Sequence, residues 1–176
     1  MKKISQMLVL ICVCSSLNFA TAQGATDGYE KNFKFGVGLN GGLPLNDPYT
    51  FNMGADVRLQ YNISASYSLC LTVGYNNLFV DNNEPDLGYV PIKVGYKTFL
   101  FKNEFYVMGE MGGAFGTTKA YDANSILFSP SIGYATKYVD ISIGYQFLKD
   151  FPMIKDNVAD NGLAQVMLRL AYGFNL

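Results

Sequence analysis

Histidine and tryptophan are both absent from this 176-residue chain, and charged residues make up only 15% of it. Without histidine, the usual Cys/His zinc site cannot be assembled, and we expect no cofactor. The acidic segment 76–86 lacks the glycine and glutamate of an EF-hand, so we interpret it as a solvated surface, with weak calcium binding as the alternative. The charged fraction lies well below the roughly 25% of soluble domains. The sequence therefore indicates an apolar environment.

Long apolar runs and basic clusters are also missing. After the amino terminus, no uninterrupted apolar run reaches the about 18 residues of a membrane-spanning helix. The Lys and Arg residues are scattered and the formal net charge is −1, so we do not expect nucleic acid as a partner. If the chain enters a membrane, it must cross with strands.

Residues 1–22 have the features of a secretory signal peptide. Lys2 and Lys3 precede an apolar stretch, and Ala20-Thr21-Ala22 forms a small-residue cleavage site. Cleavage leaves Cys70 as the remaining cysteine, which we interpret as a packing residue because it has no partner for a disulfide. Residues 23–176 are then predicted to form one domain.

Apolar and polar residues alternate with period 2 from about residue 33 onward. The clearest segment is 51–61, in which every second residue is apolar and those between are polar or glycine. A helix would not sort the residues in this way. The predicted strands are Phe33–Gly41, Phe51–Tyr61, Tyr67–Asn76, Tyr89–Phe99, Phe105–Phe115, Leu127–Ala135, Tyr138–Phe147 and Ala164–Phe174.

The connections between these strands alternate in length. Long connections at 42–50, 77–88, 116–125 and 148–163 are separated by short ones at 62–66, 100–104 and 136–137. Long and short loops at opposite ends are typical of an up-and-down barrel with an even number of strands. Pro91 and Pro130 are predicted to lie near strand starts, where a missing N–H is tolerated.

The two strand faces favour a barrel in a membrane. Strands of about 10 residues can span the hydrocarbon layer when tilted, and lipid requires a closed sheet. One face is almost free of charge; the other is rich in glycine, as in a narrow barrel interior. Aromatic residues near strand ends, Tyr89 and Phe99 among them, are predicted to form two interfacial girdles. We predict an all-β, eight-stranded antiparallel up-and-down transmembrane β-barrel.

Two groups of residues are candidates for a functional role. The first lies on the predicted lumen face, where an unpaired charge would be costly, so we expect an ion-pair network that plugs the barrel. The second is more apolar than exposed loops require, so these residues are predicted to cap the barrel mouth or contact a partner. The lumen group is Asp56, Arg58, Lys93, Glu110, Asp140 and Arg169, and the loop group is Phe79, Phe151, Met153 and Ile154.

Four features of the sequence are typical of one family: the Ala22-Gln23 signal end and the segments 89–96, 105–110 and 170–174. On these features, residues 23–176 resemble the small outer-membrane β-barrel family of Gram-negative bacteria, broadly the OmpA/OmpX type and especially the barrels of Bacteroidota. The resemblance implies export through the cleaved signal peptide to the outer membrane, contact with outer-membrane lipid and insertion by the barrel-assembly machinery.

The most direct functional interpretation is a structural or surface-interaction role, with the long loops free to bind an extracellular ligand. One alternative is a narrow channel or hydrophobic-ligand transporter, and another is a secreted soluble lipid-binding barrel. Enzymes that the family resemblance brings to mind use histidine as the base, so we expect neither catalytic residues nor enzymatic activity.

Overall fold

The computed structural model describes residues 32–80, 86–100, 104–118, 124–149, 151 and 162–175. These residues form eight strands in one closed antiparallel barrel, in which each strand pairs with the next and the last pairs with the first. This confirms the predicted fold and strand number. The strands are β1 (Phe33–Pro44), β2 (Tyr49–Ser64), β3 (Tyr67–Val80), β4 (Leu87–Leu100), β5 (Phe105–Gly116), β6 (Asn124–Ala135), β7 (Val139–Leu148) and β8 (Leu163–Asn175).

The two ends of the barrel differ in their connections. We call the end with the short connections 65–66, 101–104 and 136–138 the turn end, and the opposite end the loop end. Within the described parts of the chain, no helix has the length and apolar character needed to span a membrane. The predicted signal peptide, residues 1–22, lies outside the described residues.

Several strands are longer than predicted, at one end or at both. β2 has 16 residues and β3 has 14, because the in–out alternation continues beyond the segments marked from the sequence. The predicted connection 42–50 shortens to residues 45–48. The placement of Phe79 in a loop was wrong, since this residue lies in β3 with its ring stacked 6.4 Å from that of Phe51.

The strands are staggered around the barrel. Stepping from Phe35 to its neighbour on each successive strand leads back to Leu45, the residue that follows β1, ten residues further along the chain. A stagger of this size accompanies strands tilted by roughly 35–45° to the barrel axis. Side chains from strands that are not adjacent therefore meet in the narrow interior.

Burial follows the predicted alternation of faces. On β2, Asp56 and Arg58 are buried while Val57 between them is exposed, and on β5 Glu110 is buried while Met111 is exposed. Polar residues thus fill the interior and apolar residues cover the exterior. This is the reverse of a soluble globular protein and the arrangement of a membrane barrel.

Aromatic rings gather on the exterior at both ends, with two exceptions among those predicted. At the turn end, the ring pairs Phe105–Tyr134 and Tyr138–Tyr172 have centroids 5.0 and 5.9 Å apart. The assignment of Tyr89 and Phe99 to the girdles was wrong, because both face the interior. Tyr89 and Phe99 have odd residue numbers on β4, as do the inward-facing Lys93 and Lys97. The alternation along β4 therefore already indicated that all four side chains face the interior.

Pro91 and Pro130 interrupt the hydrogen-bond ladders of their strands, because proline has no N–H to donate. Between β3 and β4, pairing stops after Val73–Ile92 and resumes at Asn76–Tyr89, which leaves Pro91 unpaired with β3. Between β6 and β7, pairing similarly skips Pro130. Pro130 is the seventh of twelve residues in β6, so its predicted position near a strand start was wrong.

Candidate functional site

Charged residues lie in the barrel interior, and Glu110 on β5 accepts three hydrogen bonds there. Its Oε1 accepts hydrogen bonds from Arg58 Nη2 at 3.1 Å and Thr72 Oγ1 at 2.7 Å, and its Oε2 accepts one from Lys93 Nζ at 3.0 Å. Arg58 Nε also donates to Thr72 Oγ1 at 2.9 Å. One carboxylate on β5 therefore holds two cations that come from β2 and β4.

Asp56 and Arg169 form the second interior ion pair. Arg169 Nε donates to Asp56 Oδ2 at 2.8 Å and Nη2 donates to Oδ1 at 2.6 Å, which is the two-point geometry that arginine favours with carboxylates. Asn40 Nδ2 donates to the same Oδ2 at 2.9 Å. The guanidinium lies against Gly38, where a Cβ would come within 2.9 Å of Arg169 Nε, so this close approach depends on glycine. We call Asp56, Arg58, Lys93, Glu110 and Arg169 the central ion pairs.

A second group lies closer to the turn end, and we call Gln60, Lys97, Tyr106 and Asp140 the turn-end cluster. Arg169 Nη1 lies 3.9 Å from Asp140 Oδ1, so an ion pair links this cluster to the central ion pairs. Lys97 Nζ and Tyr106 OH each donate to Asp140 at 2.6 Å, and Lys97 Nζ also reaches Gln60 Oε1 at 3.5 Å. Lys97 Nζ lies 3.7 Å from the centre of the Tyr106 ring, a cation–π contact. Lys97 is only 1% exposed, so these partners replace water around its charge.

All six charged residues predicted for the lumen lie in these two groups, and each takes part in an ion pair. Lys97 and Tyr106 were not among the candidates. The alternation on β4 placed Lys97 on the inward face, yet its partners on β2, β5 and β7 depend on the strand register. Periodicity alone does not fix that register.

We expect Tyr106→Phe to lower the free energy of unfolding by about 1–3 kcal/mol, because it removes a buried hydrogen bond to a carboxylate. The ring and its contact with Lys97 remain, so the loss reports on the hydroxyl. Tyr134→Phe is the matched control, since its exposed hydroxyl donates to Glu104 at 3.1 Å and its loss should change little. Urea unfolding of the folded barrel measures both; equal losses would contradict the prediction.

Neutral polar side chains form the next group toward the loop end. Tyr89 OH accepts from Asn52 Nδ2 and Gln165 Nε2, each at 3.0 Å, and Gln165 Nε2 donates to Gln146 Oε1 at 2.6 Å. We call Asn52, Tyr89, Gln146 and Gln165 the amide cluster. Each comes from a different strand, so the cluster ties β2, β4, β7 and β8 together across the interior.

Apolar side chains close the interior at the loop end. They pack around Phe151, which is 1% exposed and meets the Tyr89 ring edge-on with centroids 5.5 Å apart. The structure therefore places Phe151 inside the barrel mouth rather than on a surface that a partner could reach. Met153 and Ile154 lie outside the described residues. We call Tyr49, Leu78, Leu87, Ala114, Leu127, Leu148, Phe151 and Leu163 the apolar plug.

Potential metal ligands and reactive groups also lie in this interior. In the described ranges, no group of three or more Cys, Asp or Glu side chains is arranged to hold a metal ion. Cys70 is buried and unbridged, and it packs with Tyr106 and Met108. The three interior carboxylates each bind a cationic side chain instead.

Comparison with known proteins finds neither a matching family model nor a matching curated protein. Solved structures do match. Ail, the attachment invasion locus protein of Yersinia pestis, superposes with a TM-score of 0.56 at 13% identity, covering 83% of this chain and 100% of Ail. The N-terminal β-barrel domain of Pseudomonas aeruginosa OprF gives 0.51 at 11% identity, with 82% and 100% covered. Neisserial surface protein A gives 0.50 at 12% identity, with 82% and 97% covered.

At these identities the likeness shows the fold alone. The resemblance to small outer-membrane barrels is confirmed at the level of architecture, while the resemblance to Bacteroidota barrels in particular stays a prediction. The chain has the closed eight-stranded up-and-down barrel fold of small bacterial outer-membrane proteins.

Proposed function

We propose that this protein is an integral outer-membrane barrel with a plugged lumen and a structural or surface-interaction role. The observation that carries the proposal is the inverted burial: apolar side chains cover the barrel exterior while ion pairs occupy its interior. A protein surrounded by water would expose that apolar exterior at a large cost in free energy. Surrounded by lipid, the same exterior carries no such cost.

The interior contacts support the plugged lumen. From turn end to loop end, the turn-end cluster, the central ion pairs, the amide cluster and the apolar plug follow one another, and β2 contributes to each of them. The apolar plug leaves its members at most 5% exposed. Such a filled interior is unsuited to general diffusion of solutes.

Surface interaction would then fall to the loop end. By sequence, the four connections there contain eight acidic and three basic residues, so we propose that an extracellular partner presents a basic contact surface. Ail has been solved in complex with sucrose octasulfate, a heparin analogue and a polyanion. The acidic loop end of this chain favours a partner of the opposite charge.

Export through a cleaved signal peptide, insertion by the barrel-assembly machinery and the lack of enzymatic activity complete the proposal. The last of these is supported by the interior carboxylates, which are all engaged in ion pairs and therefore poorly suited to act as a base. A secreted lipid carrier would need an apolar cavity. Here the middle of the barrel is polar instead.

Fractionation of expressing cells tests the location directly. We expect the protein in the outer-membrane fraction, and we expect its gel mobility to change on boiling, because closed barrels resist unfolding by detergent. Recovery as a soluble periplasmic protein would overturn the proposal.

A pair of exterior substitutions sharpens this test. Leu168 lies at mid-strand on β8 and is 56% exposed, so Leu168→Arg should lower the free energy of unfolding from lipid vesicles by about 2–4 kcal/mol. Leu45, 62% exposed and just beyond the end of β1, is the matched control with an expected change of about 0–1 kcal/mol for Leu45→Arg. In a water-exposed barrel neither change would be costly.

A narrow channel is the second candidate, because a polar cavity lies between the central ion pairs and β6–β7. Conductance in a planar bilayer distinguishes a narrow channel from a plugged barrel. A plugged barrel gives no defined current steps, and regular steps would favour the channel.

A further inference from the structure

The polar cavity is lined by two different kinds of side chain. Arg58, Lys93 and Arg169 contribute three cationic groups, and Asp56 and Glu110 contribute two carboxylates. The side formed by β6 and β7 presents small groups, among them Ser129, Ser131, Ser142 and Gly144. The cavity has a volume of about 40 Å³ and is partly open to solvent.

The charges in the cavity wall do not balance. Asp56 is matched by Arg169, but the single carboxylate of Glu110 is shared by Arg58 and Lys93. The wall therefore has one more cation than anion. Asp140 lies 3.9 Å from Arg169 but does not remove this surplus, because it is itself paired with Lys97 at 2.6 Å. A buried positive charge without a counter-charge is costly, and a bound anion would remove that cost.

Buried polar atoms without hydrogen-bond partners also belong to residues that line this cavity. Among the described residues, four buried side-chain polar atoms lack a hydrogen-bond partner, and three of them belong to residues that line this cavity. They are Arg58 Nη1, Asn76 Oδ1 and Ser131 Oγ. Arg58 Nη1 and Ser131 Oγ are hydrogen-bond donors, and the Asn76 amide can present its nitrogen if it is rotated by half a turn.

The strand register brings two of these donors to the same region. Arg58 extends from β2 to Glu110 on β5, and Ser131 lies on β6 opposite Met108, one inward position from Glu110. An ion beside the Arg58 guanidinium therefore lies next to the strand that carries Ser131. Lys93, which pairs with the same carboxylate, adds a second positive charge nearby.

We propose that this cavity is a binding site for a small monovalent anion of the halide type, held by Arg58 Nη1 and the Ser131 hydroxyl. The two carboxylates in the wall repel anions of higher charge, and the surplus of one cation matches a single negative charge. The site goes beyond the proposed role at the membrane surface, since a barrel with or without the anion has the same exterior.

Crystals of the full chain grown with bromide in place of chloride give the direct test. We expect an anomalous bromide peak within hydrogen-bond distance of Arg58 Nη1 and Ser131 Oγ. A water molecule there, with no anomalous signal, would overturn the proposal. The barrel fold would stand in either case, so this failure is distinguishable from a failure of the proposed function.

Substitution on β6 tests the same site in solution. Ser131→Ala should weaken halide affinity by roughly tenfold, because it removes one hydrogen bond to an ion. Folding should be preserved, since the Ser131 hydroxyl bonds to no described residue. Ser125→Ala is the control: this serine is also buried on β6, but its hydroxyl donates to the Lys149 carbonyl and does not line the cavity. Chloride NMR line widths measure both; equal affinities would overturn the proposal.

Discussion

Glu110→Gln is expected to lower the free energy of unfolding of the barrel by about 3–5 kcal/mol, the usual cost of removing one partner from a buried ion pair. The substitution preserves the shape of the side chain but leaves Arg58 and Lys93 without their carboxylate. Urea unfolding of the protein in lipid vesicles, followed by gel mobility without boiling, measures the loss.

Two further variants show whether the loss of stability arises from the cations that Glu110→Gln leaves unpaired. Glu104→Gln removes an exposed carboxylate that bonds to Tyr134, so its effect should stay within about 0.5 kcal/mol. Adding Lys93→Met to Glu110→Gln removes one of the two unpaired charges and should recover part of the stability. If Glu110→Gln proved as mild as Glu104→Gln, the ion pairs of Glu110 with Arg58 and Lys93 would have no part in holding the barrel together.

Gly112→Ala is expected to lower the free energy of unfolding by about 2–3 kcal/mol, although it adds one methyl group. A Cβ at this inward position of β5 would overlap the carbonyl oxygen of Ile92 on β4. Backbone atoms in a paired strand cannot move aside as the end of a flexible side chain can. The folded fraction recovered in vesicles and the urea midpoint measure the change.

Gly109→Ala on the same strand is the matched control. Gly109 faces outward and a Cβ there meets no atom within 4 Å, so this substitution should be neutral or stabilise by about 0.5–1 kcal/mol. Because both changes alter one glycine of β5 in the same way, their difference isolates the contact with β4. Equal effects of the two substitutions would contradict the register of β4 and β5.

Much of the architecture could be predicted because a strand with two different environments repeats every two residues. The alternation in residues 51–61 predicted which side chains of β2 face inward, and the alternation of long and short connections predicted the up-and-down topology. The same periodicity placed Asp56, Arg58 and Glu110 inside the barrel. A one-residue error would have exchanged both faces, so the pattern was strongly constrained.

The features that could not be predicted depend on distances between strands or on residues that suit both faces. Tyr89 joins the amide cluster rather than an exterior girdle, because a tyrosine near a strand end can lie at an interface or bond inside. The partner of Lys97 is 43 positions away on β7 and is set by the stagger of the barrel. Phe79 continues β3 because exterior pairing with Phe51 extends that strand.

The positions of bonded partners along the chain impose an order on folding. Asp56 is held by Arg169 and Asn52 by Gln165, each pair separated by 113 positions, and β1 pairs with β8. These contacts cannot form until the last strand has been synthesised and the first and last strands have met. Contacts between distant parts of a chain also make folding slow. Until then Asp56 lacks Arg169, its main partner. The polar side chains on the inward face of the incomplete sheet are hydrated by water, which disfavours early collapse of that face.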